Sequence, residues 1–124
     1  MALTMHLADV TMFHAPEGGG VGRYLHAKRT WLRRHTTLRH TLVVPGPRDE
    51  DYGDGEIELA ASRIPRSGGY RFPLDPMRWS RRIVAAAPDL IECADPYVPA
   101  HAALDAADRL GIPALAFCHS DLVR

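Results

Sequence analysis

Strand-like and helix-like segments alternate along this chain, and that alternation restricts the fold more than any single motif does. Leu7 to Phe13 reads as a strand, and a glycine cluster separates it from a helical stretch, Val21 to His35. Leu38 to Val44 is a second strand, stopped by Pro45-Gly46-Pro47, and Ile57 to Ala61 is a third. Arg63 to Leu74 has prolines, glycines and aromatics without periodicity and reads as a loop. Asp75-Pro76 starts a helix, because the carboxylate can cap free N–H groups and proline suits the first helical position. This helix is expected to run to Ala87, with Pro88 closing it. Asp89 to Cys93 is the fourth strand, Pro99 to Leu110 a helix ended by Gly111, and Ala114 to Cys118 the last strand. The order β-α-β-β-α-β-α-β predicts an α/β fold, a mostly parallel sheet with helices on both faces.

The chain's 124 residues suffice for one hydrophobic core and are too few for two. Helical spacing groups Val21, Tyr24, Leu25, Lys28, Trp31 and Leu32 on one side of the first helix. In the last helix it groups Ala100, Ala103, Leu104, Ala107 and Leu110, opposite His101, Asp105, Asp108 and Arg109. Formal charge is zero, which argues against a nucleic-acid partner held by a strong positive field. The charge is unevenly spread, however. Arg23 to Arg39 holds basic residues and no acidic one, and Asp49 to Glu58 the reverse. The basic run reads as a solvated helix face, or as a surface for phosphates or an anionic membrane. No signal peptide or membrane-length apolar run is visible, so a cytoplasmic protein is expected, with peripheral contact at the inner membrane face as an option. Cys93 and Cys118 sit in apolar stretches and read as free, buried thiols.

In open parallel sheets, ligands bind beyond the carboxyl ends of the strands. Three such ends carry distinctive residues. After the first strand, Gly18, Gly19, Gly20 and Gly22 precede a helix, where bare backbone N–H groups and the helix N-terminus suit a phosphate. A flexible packing turn is the alternative. The run fits neither the dinucleotide pattern, since Arg23 stands where the last glycine is needed, nor a P-loop, which lacks its Lys-Ser or Lys-Thr here. After the fourth strand comes Asp95-Pro96, a sugar-hydroxyl ligand or a turn-former. After the fifth comes His119, followed by Ser120 and Asp121, a polar set able to hold a polyol or simply structural. The histidines form no HExxH or Cys–His spacing, so no metal is expected.

The glycines with Val21, Arg23, Tyr24 and Leu25, together with Pro88 to Leu122 (PDLIECADPYVPAHAALDAADRLGIPALAFCHSDL), resemble the two motif blocks of family 4 retaining glycosyltransferases. The resemblance spans nearly the whole chain. It implies a Rossmann-like N-terminal half of a GT-B fold, the acceptor-side domain. It also implies transfer of a sugar from a nucleotide diphosphate sugar to a sugar or lipid-linked acceptor hydroxyl, with retention and no cofactor. Gly19, Gly20 and Gly22 match the donor-diphosphate loop, and His119 the histidine that contacts the transferred sugar as the catalytic candidate. Asp95 falls near the family's polar residues before the proline, with Ser120 and Asp121 as further contacts; outside the matched blocks, Tyr70 and Arg71 lie in a loop that reads either as facing the acceptor or as a plain surface excursion. The nucleotide-gripping C-terminal domain is missing from this sequence, so the isolated chain is expected to be inactive. Two rival readings are a non-catalytic, flavodoxin-like binding module and a nicotinamide-dependent oxidoreductase domain, the latter disfavoured by the broken glycine fingerprint.

Overall fold

The computed structural model describes residues 4–15 and 19–117. The strands are β1 (His6–Val10), β2 (Arg39–Gly46), β3 (Glu50–Asp51), β4 (Glu56–Ala60), β5 (Ser62–Arg63), β6 (Arg71–Phe72), β7 (Leu90–Cys93) and β8 (Ala114–Ala116). The helices are α1 (Gly20–His35), α2 (Pro76–Ala86) and α3 (Val98–Leu110). One sheet has the order β3-β4-β2-β1-β7-β8 and is parallel except for β3, which runs antiparallel to β4. The mostly parallel α/β architecture expected from the alternation is the one adopted. Within the segment expected to be a loop, β5 and β6 pair as a small antiparallel hairpin, with Ser62 opposite Phe72.

Helix boundaries follow local chemistry. Asp75 Oδ1 accepts from the N–H groups of Met77 and Arg78, so α2 starts with two donors satisfied. At its other end Ala87 adopts the left-handed conformation at φ 53°, because the following proline disfavours another helical residue. Gly111 closes α3 in the same conformation without a Cβ to strain it.

The two faces of the sheet differ in kind. Toward α2 and α3, Ala8, Val10, Val43, Ile57, Leu59, Ile91 and Cys93 form a dry core with Trp79, Ile83 and the alanines of α3. Burial there pushes the Cys93 thiol up to about 12, so it stays protonated, and it is a free thiol as expected. Cys118 lies outside the described residues. The buried side of α3 is Pro99, Ala102, Ala103, Ala106 and Ala107, and Leu104 is 64% exposed, so the expected apolar arc is rotated. Small side chains let α3 lie close to the sheet and α2, and the rotation brings Asp105 to the buried Ser80 hydroxyl.

Toward α1 the contact is largely polar. A small apolar cluster of Leu25, Leu42 and Val44, with Val21 against it, sits beside charged groups. Asp9, on β1 and only 2% exposed, accepts from Lys28 Nζ at 3.1 Å and lies 2.6 Å from His40 Nε2. Lys28 also pairs with Glu92 on β7. Farther along α1, the buried Arg29 pairs with Asp54 and, at 4.0 Å, with Glu56. The buried set of α1 is thus Gly22, Leu25 and Arg29, and Trp31 is 57% exposed, packed on His35. This corrects the expected face of α1. Lys28 faces the strands as grouped, held by Asp9 and Glu92, but Arg29 turns in to Asp54 and Glu56 while Trp31 stays outside. The basic run and the acidic run are accordingly partners of one another in part, because Arg29 and Arg33 both donate to the Asp54 carbonyl.

Candidate functional site

The parallel strands β1, β2, β4, β7 and β8 point their carboxyl ends at one rim, and the segments leaving β1 and β7 are locked together there. Asp95 is buried, and its Oδ2 accepts from Thr11 Oγ1 and from the Met12 N–H, each at 2.9 Å. Its Oδ1 accepts a longer bond of 3.4 Å from the Tyr97 N–H. Burial pushes the Asp95 carboxyl above its usual range, with these three donors pulling the other way. Asp95 therefore stands at the rim where the sequence put it, with its oxygens engaged by the chain itself.

That clamp sets the course of Phe13 and Tyr97. Phe13 meets Tyr97 edge-on at 5.9 Å between ring centroids and Tyr70, from the β5–β6 hairpin, at 6.0 Å. The hairpin is anchored in turn by Arg71 Nη1, which donates to the Ala61 carbonyl at 2.9 Å. Beyond it, a concavity of about 480 Å³ is lined by residues 63–69 of the hairpin loop. Sequence reasoning singled out Tyr70 and Arg71 but missed Phe13 and Tyr97. Their positions just after the β1 and β7 segments were the available signal.

The three glycines differ in what a side chain would meet. Gly19 precedes α1 at φ 146°, and a Cβ on it would fall on the Tyr70 hydroxyl. Gly22 is buried against the Phe13 carbonyl and His14. Gly20 is helical, and a Cβ there would meet nothing within 4 Å. No side chain caps α1, and its first turn carries no acidic residue among the described residues. First-turn N–H groups at the positive end of a helix are of the kind that suits an anion. The structure brings Gly19, Gly20, Tyr70 and Asp95 to one rim. His119, Ser120 and Asp121 lie outside the described residues.

Residues 18–123 match the model of the family described as Glycosyltransferase Family 4. No curated protein matches the chain. Among solved structures, it is similar to the C-terminal domain of PF1911 hydrogenase from Pyrococcus furiosus. The identity is 15% with a TM-score of 0.53, over 92% of this chain and 91% of that one. At such identity the likeness is one of fold. No helix among the described residues is long and apolar enough to cross a membrane.

Proposed function

This chain belongs to glycosyltransferase family 4, and from that premise we propose that it forms the acceptor-side wall of a cleft transferring a sugar from a nucleotide diphosphate sugar to an acceptor hydroxyl. A second, nucleotide-gripping domain completes the cleft in this reading. The observation that carries it is the family match combined with an uncapped helix N-terminus, fronted by Gly19 and Gly20, at the carboxyl rim of a parallel sheet. Backbone N–H groups of the first turn of α1 are suited to the diphosphate, whose charge grows as the sugar departs. Pre-set donors that do not reorganise during the reaction stabilise that growing charge.

The described rim residues take their roles from position, and His119, Ser120 and Asp121 take theirs from the family resemblance. The Tyr70 and Tyr97 rings offer flat apolar faces with hydroxyl tips, a surface suited to a sugar acceptor. The hairpin loop carrying Arg63 and Arg66 is suited to a phosphate on a lipid-linked acceptor. His119 supplies one hydrogen bond to the transferred sugar, with Ser120 and Asp121 as further polar contacts, and the anomeric configuration is retained. Asp95 supports this site by fixing the rim segments.

The test is transfer to an acceptor panel from a panel of nucleotide diphosphate sugars, comparing this chain with the protein carrying the second domain. Transfer is expected only with both domains, with retained configuration read by NMR of the first-formed product. His119→Ala in the two-domain protein is expected to lower turnover roughly ten- to a thousand-fold, the scale of one lost transition-state donor. Robust turnover by the 124-residue chain overturns the two-wall reading. An unchanged rate for His119→Ala removes His119 from the site.

A further inference from the structure

On the flank of α1 that faces β4, three residues far apart in sequence come together. His14 leaves β1, His26 lies on α1, and Glu56 opens β4. One ligand-capable atom from each lies within 4.8 Å of the other two. The two imidazoles approach through their Nε2 atoms at 3.1 Å, with ring centroids 5.3 Å apart and planes 48° from parallel. We propose that His14, His26 and Glu56 form a Zn²⁺ site that ties the β1–α1 segment to α1 and to the start of β4.

The spacing fits the ion. Two imidazole nitrogens bound at about 2.0–2.1 Å in a tetrahedral arrangement stand roughly 3.3 Å apart, close to the separation seen. An N–H···N hydrogen bond between the rings accounts for the histidine pair but not for a carboxylate brought to the same point. Among the described residues the Glu56 carboxylate has one long ion-pair partner, Arg29 Nη1 at 4.0 Å, and its rotatable stem can close on an ion between the imidazoles. Glu58 adds negative charge felt by His14, while Asp54 is engaged by Arg29 and Arg33. The donor set decides the metal class. Two imidazoles and one carboxylate suit Zn²⁺, whereas Mg²⁺ and Ca²⁺ require an oxygen cage. Three protein ligands leave a coordination position for water, and the exposure of His26 gives the ion a route in.

Spacing rules did not find this site because its ligands come from a loop, a helix and a strand rather than from one motif. The inference does not depend on the sugar-transfer reading, and its test reads metal alone. The purified chain, with any affinity tag removed, is titrated with Zn²⁺ in competition with a chromogenic chelator and separately with Co²⁺ followed by absorption. One ion per chain is expected, with the intense visible bands of four-coordinate Co²⁺ and a rise in Tm on adding Zn²⁺. His26→Ala and Glu56→Gln are each expected to weaken binding at least tenfold, since losing even an outer-sphere partner costs ten- to a hundred-fold. His26 is exposed and its ring supports no core packing, so its alanine variant should remain folded. Binding that is absent in the parent chain, or undiminished in both variants, overturns the proposal.

Discussion

Replacing Lys28 with methionine tests how α1 is held to the sheet. The substitution keeps an apolar stem of similar length and removes the charge that bridges Asp9 and Glu92. Asp9 would keep His40 as its partner, and Glu92, which is less deeply buried, would be left to water. Removing one partner of a buried ion pair costs on the order of 3–5 kcal/mol. The retained His40 bond and the partial access at Glu92 place Lys28→Met near the lower end, about 3 kcal/mol. A domain of this size has roughly 6–15 kcal/mol of total stability, so the loss is large without being fatal. It corresponds to a fall in Tm of about 10 °C. Arg48→Ala is the matched control, because Arg48 meets Glu50 at 3.5 Å on the surface and should cost under about 1 kcal/mol.

The assay is urea unfolding followed by circular dichroism, at low and high salt. The Arg48 effect should shrink with salt, and the Lys28 effect should largely persist. Burial pushes the Asp9 carboxyl up, but the His40 hydrogen bond and the Lys28 charge outweigh it and hold it below its usual range. The Asp9 contribution is therefore present above the ordinary carboxyl range and lost as pH falls through the depressed value. A Lys28→Met midpoint no lower than that of Arg48→Ala would refute the view that this network fastens α1.

Gly19→Ala should destabilise the fold by about 1 kcal/mol or more, from strained backbone and collision with Tyr70, whereas Gly20→Ala should be neutral or slightly stabilising by thermal melting. A drop in donor affinity for Gly20→Val in the two-domain protein, without loss of Tm, would then report a ligand at that helix end. Ala87→Gly should raise stability by about 0.5–1 kcal/mol, because it removes the Cβ from a left-handed position; an unchanged or lower Tm contradicts this. His6 is buried with its Nε2 2.6 Å from Thr41 Oγ1, and burial first, then the Arg39 charge, lowers its pKa below 6.5. Stability should be full near neutral pH and fall as pH drops below 6.5 toward the folded value, since the unfolded chain takes up the proton first. His6→Gln should flatten that slope, and an equal slope in the variant would place the effect elsewhere.

Much of the fold was legible because its signals are local. Asp75-Pro76 and Gly111 mark helix ends through capping chemistry that needs no tertiary partner, and both ends fall where that chemistry puts them. Helix orientation was less legible, since it depends on what lies beneath. Periodicity grouped Trp31 with Lys28 and Leu25, but the carboxylates of Asp54 and Glu56 bring Arg29 to the inner side and leave Trp31 outside. Leu104 is exposed for a related reason, as the buried side of α3 is taken by Pro99 and four alanines. At the candidate site, the glycine turn was visible as a strand-to-helix break. The Phe13–Tyr70–Tyr97 cluster and the His14–His26–Glu56 set were not, because each joins separate elements that only the sheet order brings together.

The sheet order also gives the protein a direction of growth. At one border, the short antiparallel β3 presents Glu50 and Asp51, with Arg48 and Arg82 paired to them, and a second chain adding a strand there would have to strip water from fixed charges. The opposite border, β8, carries no charged residue, and Leu115 stands 54% exposed on it. Among the described residues, a strand added at β8 would meet no paired surface charge on that strand, unlike one added at β3. Leu115→Lys should place a charge on that edge while leaving the α2–α3 core intact.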